Sequence, residues 1–272
     1  RLEELAAPAA ATAPAAVRTG SSVTAASPSR RQRVVAIDAG HGGVDVGMSG
    51  PIGSRAPFLK EKDVTLGVSR ALVRELESRG IGTVLTRDRD SLIALGDRGR
   101  IAGRAHADLF VSIHVNAANP RWRDARSARG FETYFLAEAR TEDAARVARM
   151  ENASVRFETN ARAEGGDAVL GILRDLAQNE HLREASRLAE LVQSSLGQVH
   201  PSESRGVKQA GFMVLATSYM PAILIETGFG SNDAEARYLT RAAGQQRLAR
   251  AIAEGIERYL AEYERRLAAG GP

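Results

Sequence analysis

Cysteine is absent from the 272 residues. Disulfides, thiolate zinc sites and cysteine nucleophiles are excluded together, so any metal must be held by histidine and carboxylate. Aromatic residues make up only 5%, with a single Trp, which leaves few stacking platforms for single-stranded nucleic acid, and no nucleic-acid partner is expected. Long apolar runs are missing as well. No stretch approaches the ~20 residues that a spanning helix requires, and no transmembrane segment is expected. Neither sign of charge dominates: 37 Lys and Arg against 33 Asp and Glu leave +4, a mild basicity that suits an anionic partner without naming one. The remaining composition, 43% hydrophobic and 26% charged, is that of an ordinary globular chain.

Residues 1–30 are rich in Ala, Pro, Ser and Thr and read as a flexible linker. The chain begins at Arg1 rather than Met and is read as a processed or truncated product. Its signal segment and any N-terminal wall-targeting region are expected to lie outside it. Folding is expected over 31–268. Arg33-Val-Val-Ala-Ile-Asp38, stopped by Gly40, Gly42 and Gly43, has the pattern of a buried strand entering a glycine-rich loop. Val64, Leu66, Val68, Leu72, Val73 and Leu76 recur at helical intervals ahead of Gly80 and predict a helix over 61–79. Strands are predicted at 81–86, 108–114, 130–136, 206–215 and 222–226, and helices at 97–105, 141–162, 168–197 and 243–267. This alternation predicts an α/β fold: one domain with a twisted, mostly parallel sheet flanked by helices.

His41 and His114 each follow a predicted buried strand, and Glu226 ends a third. In open α/β sheets, ligand sites gather beyond the carboxyl ends of strands, so these groups are expected to converge. Two imidazoles and a carboxylate suffice for a tetrahedral zinc site with one open position. Each also has a plain structural reading: a hydrogen-bonded histidine, or a glutamate paired with arginine. His106 reads as a helix-end residue, and His181 and His200 are assigned no role. Glu61 opens a helix, where the helix dipole alone would account for an acid.

Five ordered segments carry a specific resemblance: Ile37-Asp-Ala-Gly-His-Gly-Gly43, Glu61-Lys-Asp63, Leu85-Thr-Arg87, Ser112-Ile-His-Val-Asn116, and Ile225-Glu-Thr-Gly-Phe229 with Ser231-Asn232. Together they resemble the zinc-dependent N-acetylmuramoyl-L-alanine amidases that bacteria use in cell separation. The resemblance implies one Zn²⁺ per chain held by His41, Glu61 and His114, and it turns Glu226 from a ligand into the catalytic proton carrier. Asn116, two residues beyond His114, would share its strand face and serve substrate or metal support. Arg87 and Arg98 match family positions and read as structural ion-pair residues.

Between the strand ending near Leu136 and the one beginning near Gly206 lie about seventy residues, more than one crossover needs. Glu151-Asn152-Ala153 followed by Gly165-Gly166-Asp167 resembles the regulatory insertion of the AmiB and AmiC subgroup. A helical insertion over about 137–200 is therefore expected, with a regulatory helix at 141–162. Ala144, Ala148, Glu151 and Val155 step by four, three and four, so Glu151 interrupts an apolar stripe. The resemblance makes Glu151 the inhibitory contact to the metal; Glu142, Glu158 and Glu164 fall off this face or beyond the well-defined helix. It further implies a peptidoglycan substrate, a periplasmic location in a Gram-negative bacterium, and an activator protein of the degenerate LytM-domain type that displaces the helix. Two rival readings are a non-catalytic wall-binding or regulatory module and a zinc peptidase or deacetylase with the same metal chemistry.

Overall fold

The computed structural model describes residues 31–158 and 180–270. The expected linker, the segment Gly165-Gly166-Asp167, Glu164 and the first part of the predicted helix at 168–197 lie outside them. In chain order the elements are β1 (Val34–Ala39), β2 (Ser49–Gly50), β3 (Leu59–Lys60), α1 (Glu61–Glu77), β4 (Gly82–Leu85), α2 (Leu95–Arg104), β5 (Leu109–Asn116), β6 (Phe131–Leu136), α3 (Glu142–Asn152), a 3₁₀ turn (Ala153–Phe157), α4 (Glu180–Leu196), β7 (Ser204–Ala210), α5 (Met213–Ala216), β8 (Ala222–Phe229), α6 (Asp233–Thr240) and α7 (Ala242–Ala268).

Six strands form one sheet in the order β4-β1-β5-β8-β6-β7. All neighbours run parallel except β6 and β8, which are antiparallel, so the sheet is mixed but mostly parallel. The central strands are buried on both faces, which is why they read as continuous apolar runs; all eight residues of β5 are buried. Their side chains divide by the two-residue period of a strand. Val35, Ile37, Val111, Ile113, Ile223 and Ile225 pack on the side of α1, α4 and α7, against Val68, Leu72, Val192, Ile252 and Ile256. Ala36, Phe110, Tyr134 and Leu224 pack on the other side, with Val147 of α3 and Leu215 of α5. Among the described residues no helix is long and apolar enough to cross a membrane.

Several boundaries differ from expectation, and long-range contacts account for them. The strand predicted at 206–215 ends at Ala210, because the Asn152 side chain donates to the Gly211 carbonyl and accepts from the Met213 amide, both at 2.8 Å, and the chain turns into α5. The helix predicted at 141–162 starts where Thr141 accepts the Ala144 amide and keeps α geometry only to Asn152, tightening into the 3₁₀ turn before Glu158 becomes extended. Residues 159–162 lie outside the described residues. The hairpin of β2 and β3 and helix α6 had no predicted counterpart, although Asn232 caps α6 in the ordinary way, accepting from Ala234 and Glu235 amides.

Candidate metal centre

The site forms where β1, β5 and β8 end. His41 follows β1 on a turn between glycines and adopts a left-handed φ of 60°, sparsely populated for a side chain with a Cβ. Two buried arginines hold this turn by its carbonyls. Arg98 donates to Ala39 and His41 oxygens while paired with Asp38 at 2.9 Å, and Arg87 donates to the Ala39 and Gly40 oxygens. Both therefore act structurally. His114 points from β5 across Gly40, where a Cβ would come within 2.6 Å of the imidazole; only glycine permits that approach.

Glu61 is the first residue of α1, and its carboxylate is tied to backbone on both sides. Oε2 accepts the Met48 amide and Oε1 the Val115 amide, each at 2.8 Å. Gly47, at φ 69°, lies so close that a Cβ would sit 2.5 Å from Glu61 Oε2. Held in this way, Glu61 Oε1 is 3.1 Å from both His41 Nε2 and His114 Nδ1. Glu151 of α3 closes the cluster from above, its Oε2 at 2.8 Å from His114 Nδ1 and 3.1 Å from His41 Nε2.

One ligand atom from each of His41, Glu61, His114 and Glu151 lies within 4.8 Å of the other three, and all four residues are buried. Yet His41 Nε2 and Glu151 Oε2 have no properly directed hydrogen-bond partner. A buried polar atom left without one costs roughly 1–3 kcal/mol, and a cation at the common centre would satisfy both. Two imidazole nitrogens and carboxylate oxygens suit Zn²⁺, so the residues fit a metal of this class.

Electrostatics agree with that demand for positive charge. Burial, the largest single influence, disfavours charge on the imidazoles, but at His41 the Glu61, Asp45 and Glu151 carboxylates together outweigh it and raise the pKa well above the ordinary range. At His114 burial is again the largest influence, and the Glu151 and Glu61 carboxylates together overcome it, so that the pKa reaches about 10. The metal-free cluster therefore holds protons that a bound cation would displace.

Glu226 faces His114 in register across β5 and β8, and both its oxygens are buried without a hydrogen-bond partner. Burial first, then the nearby Glu151 charge, push its pKa well above the carboxylate range. It is a group prepared to carry a proton, and it is not among the four clustered residues. Asn116 is not among the four clustered residues; its Nδ2 donates at 2.8 Å to buried Glu132, the residue paired in register with Glu226.

Sequence reasoning missed Asp45. Its Oδ2 accepts from His41 Nδ1 at 2.8 Å, which fixes the ring and leaves Nε2 aimed at the centre. The available signal was the glycine turn: reciprocal backbone bonds between Gly42 and Asp45 fold the carboxylate back onto the ring four residues earlier.

A family model described as N-acetylmuramoyl-L-alanine amidase matches residues 35–258. The chain belongs to this amidase family. It is 35% identical over 243 residues to N-acetylmuramoyl-L-alanine amidase AmiA of Escherichia coli K12, covering 88% of this chain and 80% of AmiA. It is also 35% identical over 237 residues to AmiC of Neisseria meningitidis serogroup B, covering 85% of this chain but 53% of that relative, so it spans about half of AmiC. Among solved structures, the amidase AmiC2 of Nostoc punctiforme superposes with a TM-score of 0.60 at 31% identity, over 84% of this chain and 97% of that one. Membership makes the chain an enzyme of the amidase class, built on the sheet that these relatives share.

Proposed function

We propose that the chain hydrolyses the amide between the lactyl group of N-acetylmuramic acid and the L-alanine of the peptidoglycan stem, using one Zn²⁺ held by His41, Glu61 and His114. The observation that carries this reading is the convergence of two imidazoles and Glu61 on a point toward which His41 Nε2 is aimed without a directed hydrogen bond. When bound, the ion supplies Lewis acidity that polarises the scissile carbonyl and brings the pKa of water toward ~7. Glu226 then takes a proton from the attacking water and returns it to the leaving amine. Its two unpartnered oxygens and elevated pKa support that exchange. Asp45 keeps His41 in the ligating tautomer, and Arg87 and Arg98 hold the strained turn.

The domain reading is a catalytic unit over 31–268 in which the insertion between β6 and β7 regulates access. Glu151 fills the position that substrate and water need, while Asn152 clips the helix to the α5 turn and the Glu158 carboxylate accepts the Leu95 amide at the start of α2. The chain is held inactive until a partner binds the open state more tightly than the closed one. We assign that role to an activator of the degenerate LytM-domain type, and the work of the pair to cell separation in the periplasm, where the wall polymer lies.

Digestion of purified peptidoglycan, followed by mass spectrometry and zinc analysis of the protein, tests the central reading. Intact stem peptides freed from glycan are expected, with about one zinc per chain. Cleavage within the stem, or removal of acetyl groups alone, would refute the amidase assignment in favour of a peptidase or deacetylase. No cleavage by the Glu151→Ala chain would favour a wall-binding module.

A further inference from the structure

Behind Glu226, on the β6 and β7 side of the site, sits a second polar cluster that the hydrolytic chemistry does not use. Glu132 of β6 is paired in register with Glu226 and has no exposure to solvent. Its Oε1 accepts from Asn116 Nδ2 at 2.8 Å and from the Tyr134 hydroxyl at 2.7 Å. Its Oε2 accepts from Arg205 Nε at 2.9 Å and from the Lys208 ammonium. With four donors the carboxylate is saturated, and two cations on one anion leave a positive charge in excess.

That excess faces Asp143, near the start of α3. The fit is poor: Asp143 Oδ2 stands 3.4 Å from Arg205 Nη2 and 3.8 Å from Lys208 Nζ, at and beyond the limit of a hydrogen bond, while Oδ1 is engaged by Arg146 at 3.0 Å. Both cations are nevertheless held in place. The Arg205 guanidinium lies over the Phe229 ring at 5.0 Å and the Lys208 ammonium over the Tyr134 ring at 5.9 Å, with side chains 30% and 21% exposed. If α3 leaves, these two donors remain fixed and lose Asp143, their only counter-charge on that side among the described residues.

We infer that Arg205 and Lys208 form a subsite for a free carboxylate of the peptidoglycan stem peptide, a place that Asp143 fills while α3 covers the site. Position favours the stem. From residue 143 to residue 151 the helix rises about 12 Å at 1.5 Å per residue, and Glu151 marks the reacting centre. An extended peptide covers that span in three or four residues at ~3.3–3.6 Å each, so the matching carboxylate lies that far beyond the scissile amide. α3 thus imitates substrate twice, with Glu151 at the metal and Asp143 at the cation pair. The inference rests on the amidase reading and adds which part of the stem is recognised.

The test compares two synthetic N-acetylmuramoyl tetrapeptides, one with free stem carboxylates and one with the same groups as carboxamides, hydrolysed by the zinc-loaded Glu151→Ala chain. The free acid should show the lower KM, with kcat similar. Lys208→Met or Arg205→Met should raise KM for the acid by about 10- to 100-fold, the loss of a charge-assisted pair, and leave KM for the carboxamide nearly unchanged. Arg205→Lys should recover part of the acid preference. Because either apolar variant leaves buried Glu132 with one cation instead of two, Lys208→Met is also made with Glu132→Gln, which removes that buried charge. A purely structural cation pair would shift KM or kcat equally for both substrates, and that result overturns the subsite. Equal KM for acid and carboxamide in the Glu151→Ala chain also overturns it, with no further substitution needed, and leaves the amidase reading intact. Hydrolysis of neither substrate overturns both.

Discussion

Replacing Glu151 by alanine gives the sharpest test of control by α3. The carboxylate is 4% exposed and meets two imidazole nitrogens at 2.8 and 3.1 Å. Losing contacts of that charge-assisted kind costs the closed state about 2–3 kcal/mol, which corresponds to a shift of roughly 30- to 150-fold toward the open state. The other clips of the segment, at Asn152 and Glu158, remain, so the helix should still close part of the time. Basal release of stem peptides from purified peptidoglycan, with no second protein present, should therefore rise by about one to two orders of magnitude. Zinc content should stay unchanged, and the gain from an added activator should shrink by a similar factor. Glu151→Gln, which keeps the size but not the charge, should fall between wild type and the alanine variant. If Glu151→Ala retains the wild-type basal rate while an activator stimulates both proteins equally, the helix does not gate the site through this carboxylate.

Other residues carry separable expectations. His114→Ala should lose most bound zinc and all hydrolysis; full occupancy by elemental analysis would remove His114 from the ligand set. Glu226→Gln should keep zinc and slow turnover by about 10²–10⁴-fold, the usual share of general acid–base catalysis; loss of the metal would instead make Glu226 a ligand. Asp45→Asn should weaken zinc retention against a competing chelator by roughly 10- to 100-fold with melting unchanged, and unaltered retention would deny its positioning role. Asp38 is fully buried, which alone would favour its neutral form, but Arg98 and the Thr86 and Ser112 hydroxyls hold its pKa below the usual range. Its stabilisation is thus present above the unfolded-state pKa of ~3.9 and is lost as pH falls through the lower folded value. Asp38→Asn should cost about 3–5 kcal/mol at pH 7, the penalty of orphaning Arg98. Denaturant melts should show that deficit narrowing below pH ~4; a deficit independent of pH would refute the ionic account.

The convergence of His41, His114 and Glu226 was legible because β1, β5 and β8 each contain an apolar run buried on both faces, and these three polar residues come just after those runs. Helical spacing placed Glu151 on the face that Ala144 and Ala148 bury, but it did not say what the carboxylate meets there; that reading came from the resemblance alone. Glu61 was not legible from its own neighbourhood. An acid at a helix start looks the same whether it answers a dipole or a metal, and the deciding bonds come from Met48 and from Val115, 54 residues away. The end of β7 and the Glu132 cluster were hidden for the same reason. One depends on Asn152 reaching across 61 residues to Met213, and the other on Arg205 reaching 73 residues back. Side-chain periodicity reports which face is buried; it does not report which distant group waits there.

Five residues separate the end of β6 from the start of α3, and if α3 is the displaceable cover proposed above, that short leash governs what happens after opening. A displaced α3 does not diffuse away; a segment tethered this closely stays at an effective concentration near the millimolar range. Closure is therefore a first-order event that needs no new synthesis, no proteolysis and no return of a lost inhibitor. On that proposal the open chain reverts as soon as its partner lets go. On the proposed reading, cutting of the wall is confined in space and time to wherever the partner is bound, because the memory of activation lasts no longer than the contact that caused it.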